Sequence, residues 1–330
     1  MLGAFRLLLA LAVALSHANV RIAGLNPGVI AVVCFYLISG YVMTGLLRSH
    51  YQSLPRVPYF YLDRALRIFP QYLAIAAITL TWFLLSGRNT AFLQHAPRWS
   101  DLLNNLAVAP LNYYMLNGSD QFTLVPPAWS LGAEVQFYLL IPLLLLWRLR
   151  SGVFLLGLTV FAAAAWGVLN TDTFGYRLLP GVLVFFLLGS ALYDARNRQL
   201  RSGLIVLAGV LCAAGGALLL ARYGRLGLPY NRETLLGIAI GLPLLHWLGR
   251  LPQHALDNRL GDLSYGVFLN HFLLQWTLGT PAGWPMLGGY LLASLALSAL
   301  TQGLVERPVL RWRHGLRARQ ETLREQQKAV

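Results

Sequence analysis

The sequence predicts an all-α membrane helix bundle of about ten transmembrane helices with both termini in the cytoplasm, and three observations predict it. The first is composition: 57% of the 330 residues are hydrophobic, only 12% are charged, and the mean hydropathy is +0.57. Soluble domains carry about 25% charged residues, so this chain has too little polar surface to face water all round, and lipid becomes its solvent. The second is length. Apolar runs near the roughly 20 residues that cross a bilayer core recur at 4–20, 28–47, 70–86, 131–148, 152–169, 178–194, 202–221, 233–249, 262–280 and 286–304. The third is charge placement. With the N-terminus inside, eighteen Lys and Arg side chains fall in the cytoplasmic segments 48–69, 147–151, 195–201, 250–261 and 305–330, against seven outside. Arg6 sits at the mouth of the first run. That asymmetry has the sign expected for an even number of crossings. The formal charge of +14 therefore reads as orientation in a membrane, and nucleic-acid binding is not expected.

Taken in order, the run 4–20 carries Arg6 and His17, eleven positions apart. Eleven residues turn an α-helix by about 1100°, three turns and roughly 20° more, and advance it by about 16 Å. The two side chains thus share one stripe, one end at the cytoplasmic mouth and the other towards the outer face. Two readings of His17 stay open at this point: an interfacial polar residue, or a functional imidazole inside a membrane segment. The same run has the look of a secretory leader, with Arg6, an apolar stretch and small residues around Ser16 and Ala18.

Runs 28–47 and 202–221 contain the two cysteines, Cys34 and Cys212, which read as small packing residues; no metal site is expected from them. Between the second and third runs, YFYLDRALRIFPQY puts Arg64 and Arg67 on one helical face. Paired guanidinium groups suit phosphate oxygens, or else anionic lipid headgroups. The outer segment 87–130 is the longest outside a span and holds Trp99, Asn104, Asn105, Asn112 and the Pro126–Pro127 pair. In PPAWSLGAEVQFY, Ser130 reads as the N-cap of the fourth span. Glu134 follows near the positive end of that helix, on one face with Tyr138 and at about the depth of His17. A carboxylate so placed would orient the imidazole. The ninth run holds Asn270 and His271 near its middle, and Glu306 closes the last run beside Arg307 and Arg311 as its simplest partners.

Six phrases along the chain resemble the acyltransferase 3 family of bacterial integral membrane O-acyltransferases. They are Arg6 with His17; CFYLISGYVMTGLL at Cys34–Leu47; YFYLDRALRIFPQY; WSLGAEVQFY; Ser264, Tyr265, Leu269 and His271; and Val305, Glu306 and Pro308. Asp63, Gly132 and Val135 stand where the family often has Arg, Ser and Glu. The resemblance covers nearly the whole chain. It implies a transmembrane acyltransferase domain over residues 1–305 and a basic cytoplasmic tail over 306–330. It also weighs against cleavage of the first run, which would remove His17.

What the resemblance implies chemically is transfer of an acyl group, acetyl foremost, from cytoplasmic acyl-CoA to a hydroxyl of a cell-envelope glycan or similar acceptor, in the bacterial inner membrane. No bound cofactor is implied; acyl-CoA is a substrate. His17 would act as general base or transient acyl carrier with Glu134 beside it, and Arg6, Arg64 and Arg67 would hold the nucleotide phosphates. Ser39, Tyr138 and His271 are candidate oxyanion donors, and Trp129, Ser130 and Glu306 are further site candidates. The alternative is a transporter or flippase of a lipid-linked or small-molecule substrate; the lack of a visible internal repeat weighs against it.

Overall fold

The structure, a computed structural model, describes residues 2–252 and 254–312. It contains α1 (Leu2–His17), α2 (Pro27–His50), α3 (Val57–Ser86), α4 (Trp99–Ala107), α5 (Tyr114–Asn117), α6 (Ala128–Leu146), α7 (Arg150–Ala165), α8 (Leu179–Asn197), α9 (Arg201–Arg222), α10 (Asn231–Leu248), α11 (Ala255–Leu278) and α12 (Trp284–Thr301). Two π-helical turns, Thr171–Arg177 and Gln302–Glu306, precede α8 and follow α12. Among the described residues there is no β-strand. The basic tail falls mostly at 313–330, outside the described residues.

Six stretches are long and apolar enough to cross a membrane: Pro27–His50, Leu54–Ser86, Ala128–Leu146, Thr171–Asn197, Arg201–Arg222 and Trp284–Trp312. Leu2–His17 and Arg150–Ala165 are apolar but shorter. α10 opens on Asn231, Arg232 and Glu233, and α11 carries Asp257, Arg259, Asp262, Asn270 and His271, which dilutes their apolar content. The protein is a multi-pass, all-helical membrane protein.

Contacts between these helices fix their relative directions. Gly40 meets the Phe186 carbonyl, Thr44 bonds Ser190 and Arg48 bonds Asp194, so α2 and α8 run parallel. Gly3 meets Asp257 and His17 meets His271, so α1 and α11 are parallel as well. Arg150 reaches Asp194 from the start of α7, and Ser298 reaches Leu263 from the end of α12, which makes those pairs antiparallel. Ile68 and Trp82 of α3 meet Tyr265 and Trp276 of α11, and Val33 and Leu37 of α2 meet Gly237 and Gly241 of α10. By contrast, α9 doubles back on α10 (Ala221 to Arg232) and α6 on α3 (Leu139 to Tyr61). The long helices thus fall into two opposed sets: α1, α3, α7, α9 and α11 against α2, α6, α8, α10 and α12.

Small residues let the helices approach closely, as packing in lipid requires. A Cβ on Gly3 would lie 1.8 Å from the Asp257 carbonyl oxygen, and one on Gly189 would lie 1.9 Å from that of Leu37. At the far end of α1, Asn26 caps α2 by accepting from Gly28 N at 3.0 Å and from Ser16 Oγ at 2.5 Å, which ties the two helices together. The long segment 87–130 is held by the helices it packs on. Tyr72 donates to the Asn105 carbonyl at 2.7 Å, and Asn112 Nδ2 donates to the carbonyls of Trp129 at 3.1 Å and Arg177 at 2.9 Å. Asn105 and Asn112 are therefore fixed by the fold itself.

Candidate active site

A cavity of about 540 Å³ lies between α1, α2, α3, α6 and α11, with Leu2, Gly3, Leu248 and Gly249 in its lining at the end of the bundle where α1 begins. Arg6, Ser39, Arg64, Arg67, Ser130, Glu134 and Tyr138 all line it, so seven of the eleven candidate residues converge on one space. On α2 the lining runs from Val32 to Met43, a length of about 16 Å along the helix.

Arg6 is placed by the helix it rides on. The α1 N-terminus leaves backbone N–H groups without partners, and the Asp257 carboxylate accepts two of them, from Gly3 at 3.1 Å and Ala4 at 2.9 Å. Arg6 then lies beside Gly261 of α11 and within electrostatic reach of Glu134, Asp262 and Arg64. The other two arginines arrive already engaged. Arg64 bonds its neighbour Asp63, the residue that stands where an arginine was expected, and also contacts Met43 Sδ at 3.7 Å. Arg67 pairs with Glu306. The expected partners of Glu306, Arg307 and Arg311, are displaced because the π-helical turn Gln302–Glu306 swings this carboxylate inward, fully buried against α3.

At the deeper end, Ser39 Oγ donates to Tyr138 Oη at 3.4 Å, and Tyr138 donates to Glu134 at 2.5 Å. The shared face of Glu134 and Tyr138 is as the i, i+4 spacing requires. Ser130 is not the N-cap. Helix α6 starts earlier, at Ala128, and the Ser130 hydroxyl donates back to the Pro127 carbonyl at 2.9 Å.

His17 ends α1 and lies outside the cavity lining. Its hydrogen-bond partner is His271, Nδ1 to Nε2 at 3.0 Å, with the rings 14° from parallel. Glu134 therefore does not orient it. Similar depth in the bundle does not bring α1 and α6 side by side: α1 packs along α11, whereas α6 packs against α2, α3 and α8. Phe268 links the two centres. It lines the cavity, and its ring stands 6.4 Å from the His271 ring.

Trp129 is elsewhere again. It stacks under Arg177, whose guanidinium carbon is 4.9 Å from the indole centroid and 5.4 Å from the rings of Tyr114 and Tyr176. In this cluster burial pushes the Tyr114 phenol up to about 12, with Arg177 pulling the other way. The sequence reading missed Asp257, Asp262 and Phe268. Two acids in ALDNRLGD, close ahead of an apolar run, were the available signal for the first two.

Comparison with known proteins then decides the family. The family model described as an acyltransferase domain, acyltransferase 3, matches residues 2–302. The chain belongs to the acyltransferase 3 family. Among its relatives, an uncharacterised protein of Aquifex aeolicus (strain VF5) is 38% identical over 162 residues, 47% of this chain and 72% of that one. Nodulation protein 10 of Rhizobium leguminosarum bv. viciae is 28% identical over 320 residues, 89% of this chain and 84% of its own. A protein of Staphylococcus aureus (strain COL), provisionally named an O-acetyltransferase, is 26% identical over 213 residues; these are 56% of this chain and 34% of the staphylococcal one, so only about a third of that relative is spanned. No solved structure matches the chain. Membership makes this protein a membrane acyltransferase, and the cavity between its helices is the candidate place for the reaction.

Proposed function

We propose that this acyltransferase crosses the bacterial inner membrane ten times, with both ends in the cytoplasm, and moves an acyl group from acyl-CoA to a hydroxyl of a cell-envelope glycan. Residues 1–305 form the transferase domain in this reading, and 306–330 the cytoplasmic tail. Two opposed sets of five long helices support the number of crossings. Exposed aromatic residues support the placement: Trp99, Trp166, Tyr223 and Trp284 belong to one end of the bundle, and Trp147, Trp247 and Trp312 to the other, as two interfacial belts. Acetyl is the favoured group because the staphylococcal relative is named for it.

The observation that carries the reading is the cavity, which joins Arg6, Arg64 and Arg67 to Ser39, Tyr138 and Glu134 and has Phe268, beside His271, in its lining. Guanidinium groups at its cytoplasmic mouth suit the donor's phosphates. Asp257, one of the acids in the same wall, is occupied by the α1 N-terminus and competes less for them. The pantetheine arm runs inward along α2. His17 takes the proton of the acceptor hydroxyl as its oxygen attacks the thioester carbonyl. The C–S bond then breaks, and the proton passes to the departing thiolate. A positioned base supplies about 10²–10⁴ in rate, and orientation of the two substrates supplies more. The outer segment 87–130 helps to select the acceptor.

The test is purified protein in lipid nanodiscs, supplied with radiolabelled acetyl-CoA and an envelope glycan acceptor. Wild-type protein should label the acceptor. His17→Ala should abolish labelling with the helical content unchanged, and Arg64→Ala and Arg67→Ala should raise the KM for the donor. Undiminished labelling by His17→Ala would overturn the mechanism.

A further inference from the structure

The bonds around the two imidazoles have a direction. The Val267 carbonyl, four residues back on α11, offers only lone pairs, so the His271 Nδ1 that approaches it at 3.2 Å is the donor. In a neutral imidazole the other nitrogen is then an acceptor. His271 Nε2 consequently accepts from His17 Nδ1 at 3.0 Å. The two rings lie 14° from parallel, with their centroids 5.0 Å apart. The Val13 carbonyl, four residues back on α1, lies near the His17 ring as well.

We infer that His271 is a positioning residue that holds His17 in the tautomer with Nδ1 protonated and Nε2 bare. The inference rests on the reading of His17 as the base and adds which nitrogen acts. Nε2 takes the hydroxyl proton as the new C–O bond forms and returns it to sulfur as the C–S bond breaks; Nδ1 keeps its proton throughout. His271 is suited to the task because it is itself immobile. It is fully buried, and its own carbonyl accepts from Tyr290 Oη at 3.3 Å. Its neighbour Asn270 is locked to Ser294 at 2.6 Å and 2.9 Å, which ties this turn of α11 to α12. The chain of bonds ends on a backbone carbonyl, a neutral acceptor that fixes a tautomer without adding charge in a low-dielectric site.

Three full-length variants in nanodiscs test it: His271→Leu, His271→Gln and His17→Ala. The glutamine amide oxygen occupies roughly the place of Nε2 and accepts from His17, whereas leucine offers nothing. His271→Leu should lower kcat by about 10–100-fold, the scale on which loss of an orienting partner acts, with the donor KM unchanged. His271→Gln should recover activity to within a few fold. Nitrogen-15 spectra of histidine-labelled protein, with the His17 signals assigned by their loss in His17→Ala, should show bare Nε2 in wild type and His271→Gln and mixed tautomers in His271→Leu. A His17 tautomer unchanged in His271→Leu overturns the inference. So does a glutamine variant as impaired as the leucine one. If the leucine variant does not fold, the glutamine spectrum decides, and a protonated Nε2 there counts against the inference. Transfer by His17→Ala removes the base assignment, while the spectra still decide the tautomer.

Discussion

Asp257, near the start of α11, accepts from the backbone N–H of Ala4 at 2.9 Å, and so caps a helix that precedes it by 253 residues. With the second bond from Gly3, it gives the α1 N-terminus the anionic partner that helix ends favour. Replacing it by alanine should cost about 0.5–2 kcal/mol of stability, the usual range for a lost cap. Because Arg6 lies one turn further along α1, the donor KM should rise as well. Thermal unfolding and steady-state kinetics of Asp257→Ala and Asp257→Asn check this, and the asparagine, which keeps an acceptor, should lie nearer wild type.

Glu306 and Arg67 form an ion pair whose acid is fully buried and whose arginine is about a fifth exposed. Removing one partner of a buried pair strands the other, at a cost of about 3 kcal/mol once that partial exposure is allowed for. Glu306→Ala should therefore lower the unfolding temperature clearly. Arg67→Met with Glu306→Leu should restore much of the stability while still impairing use of the donor. Equal activity in wild type and the double variant would remove Arg67 from the phosphate site.

Gly189 and Gly215 make opposite predictions. A methyl on Gly189 would sit 1.9 Å from the Leu37 carbonyl, where α8 crosses α2, and overpacking of that kind costs about 1–3 kcal/mol or more. Nothing lies within 4 Å of a Cβ on Gly215 in α9, so alanine there should be neutral or stabilise by up to about 1 kcal/mol. Denaturation of Gly189→Ala and Gly215→Ala in the same detergent gives the comparison.

Topology can be read with thiol reagents. Cys34 is buried, and Cys212 is exposed within an apolar helix that lipid is expected to cover, so neither should react with a membrane-impermeant maleimide. In intact cells Arg225→Cys should label and Arg198→Cys should not; after the membrane is opened both should. The reverse pattern would invert the proposed orientation.

How much of this was legible beforehand depends on direction. Along the bilayer normal the sequence is informative: every one of the ten apolar runs lies largely within a helix, and Arg6 and His17 both face α11, beside Gly261 and His271. Around the bundle it is nearly silent. Glu134 and His17 were matched by depth, yet which helices become neighbours is decided by close contacts such as Gly3 with Asp257, and no local pattern encodes them. Glu306 was misjudged for a related reason. A π-helical turn changes where a side chain points by part of a turn, and ordinary helical spacing does not foresee it. Asp63 shows the middle case: its departure from the family phrase was visible, and only the fold shows that it ties up the adjacent Arg64.

The bond from Gly3 to Asp257 and the bond from His17 to His271 each span 254 residues. During synthesis, α1 must therefore remain in the membrane without its lasting neighbour until α11 has emerged. In the mechanism proposed above, a nascent chain that stops short of α11 lacks the paired imidazoles and with them the oriented base. On that proposal, competence to react waits on the insertion of α11.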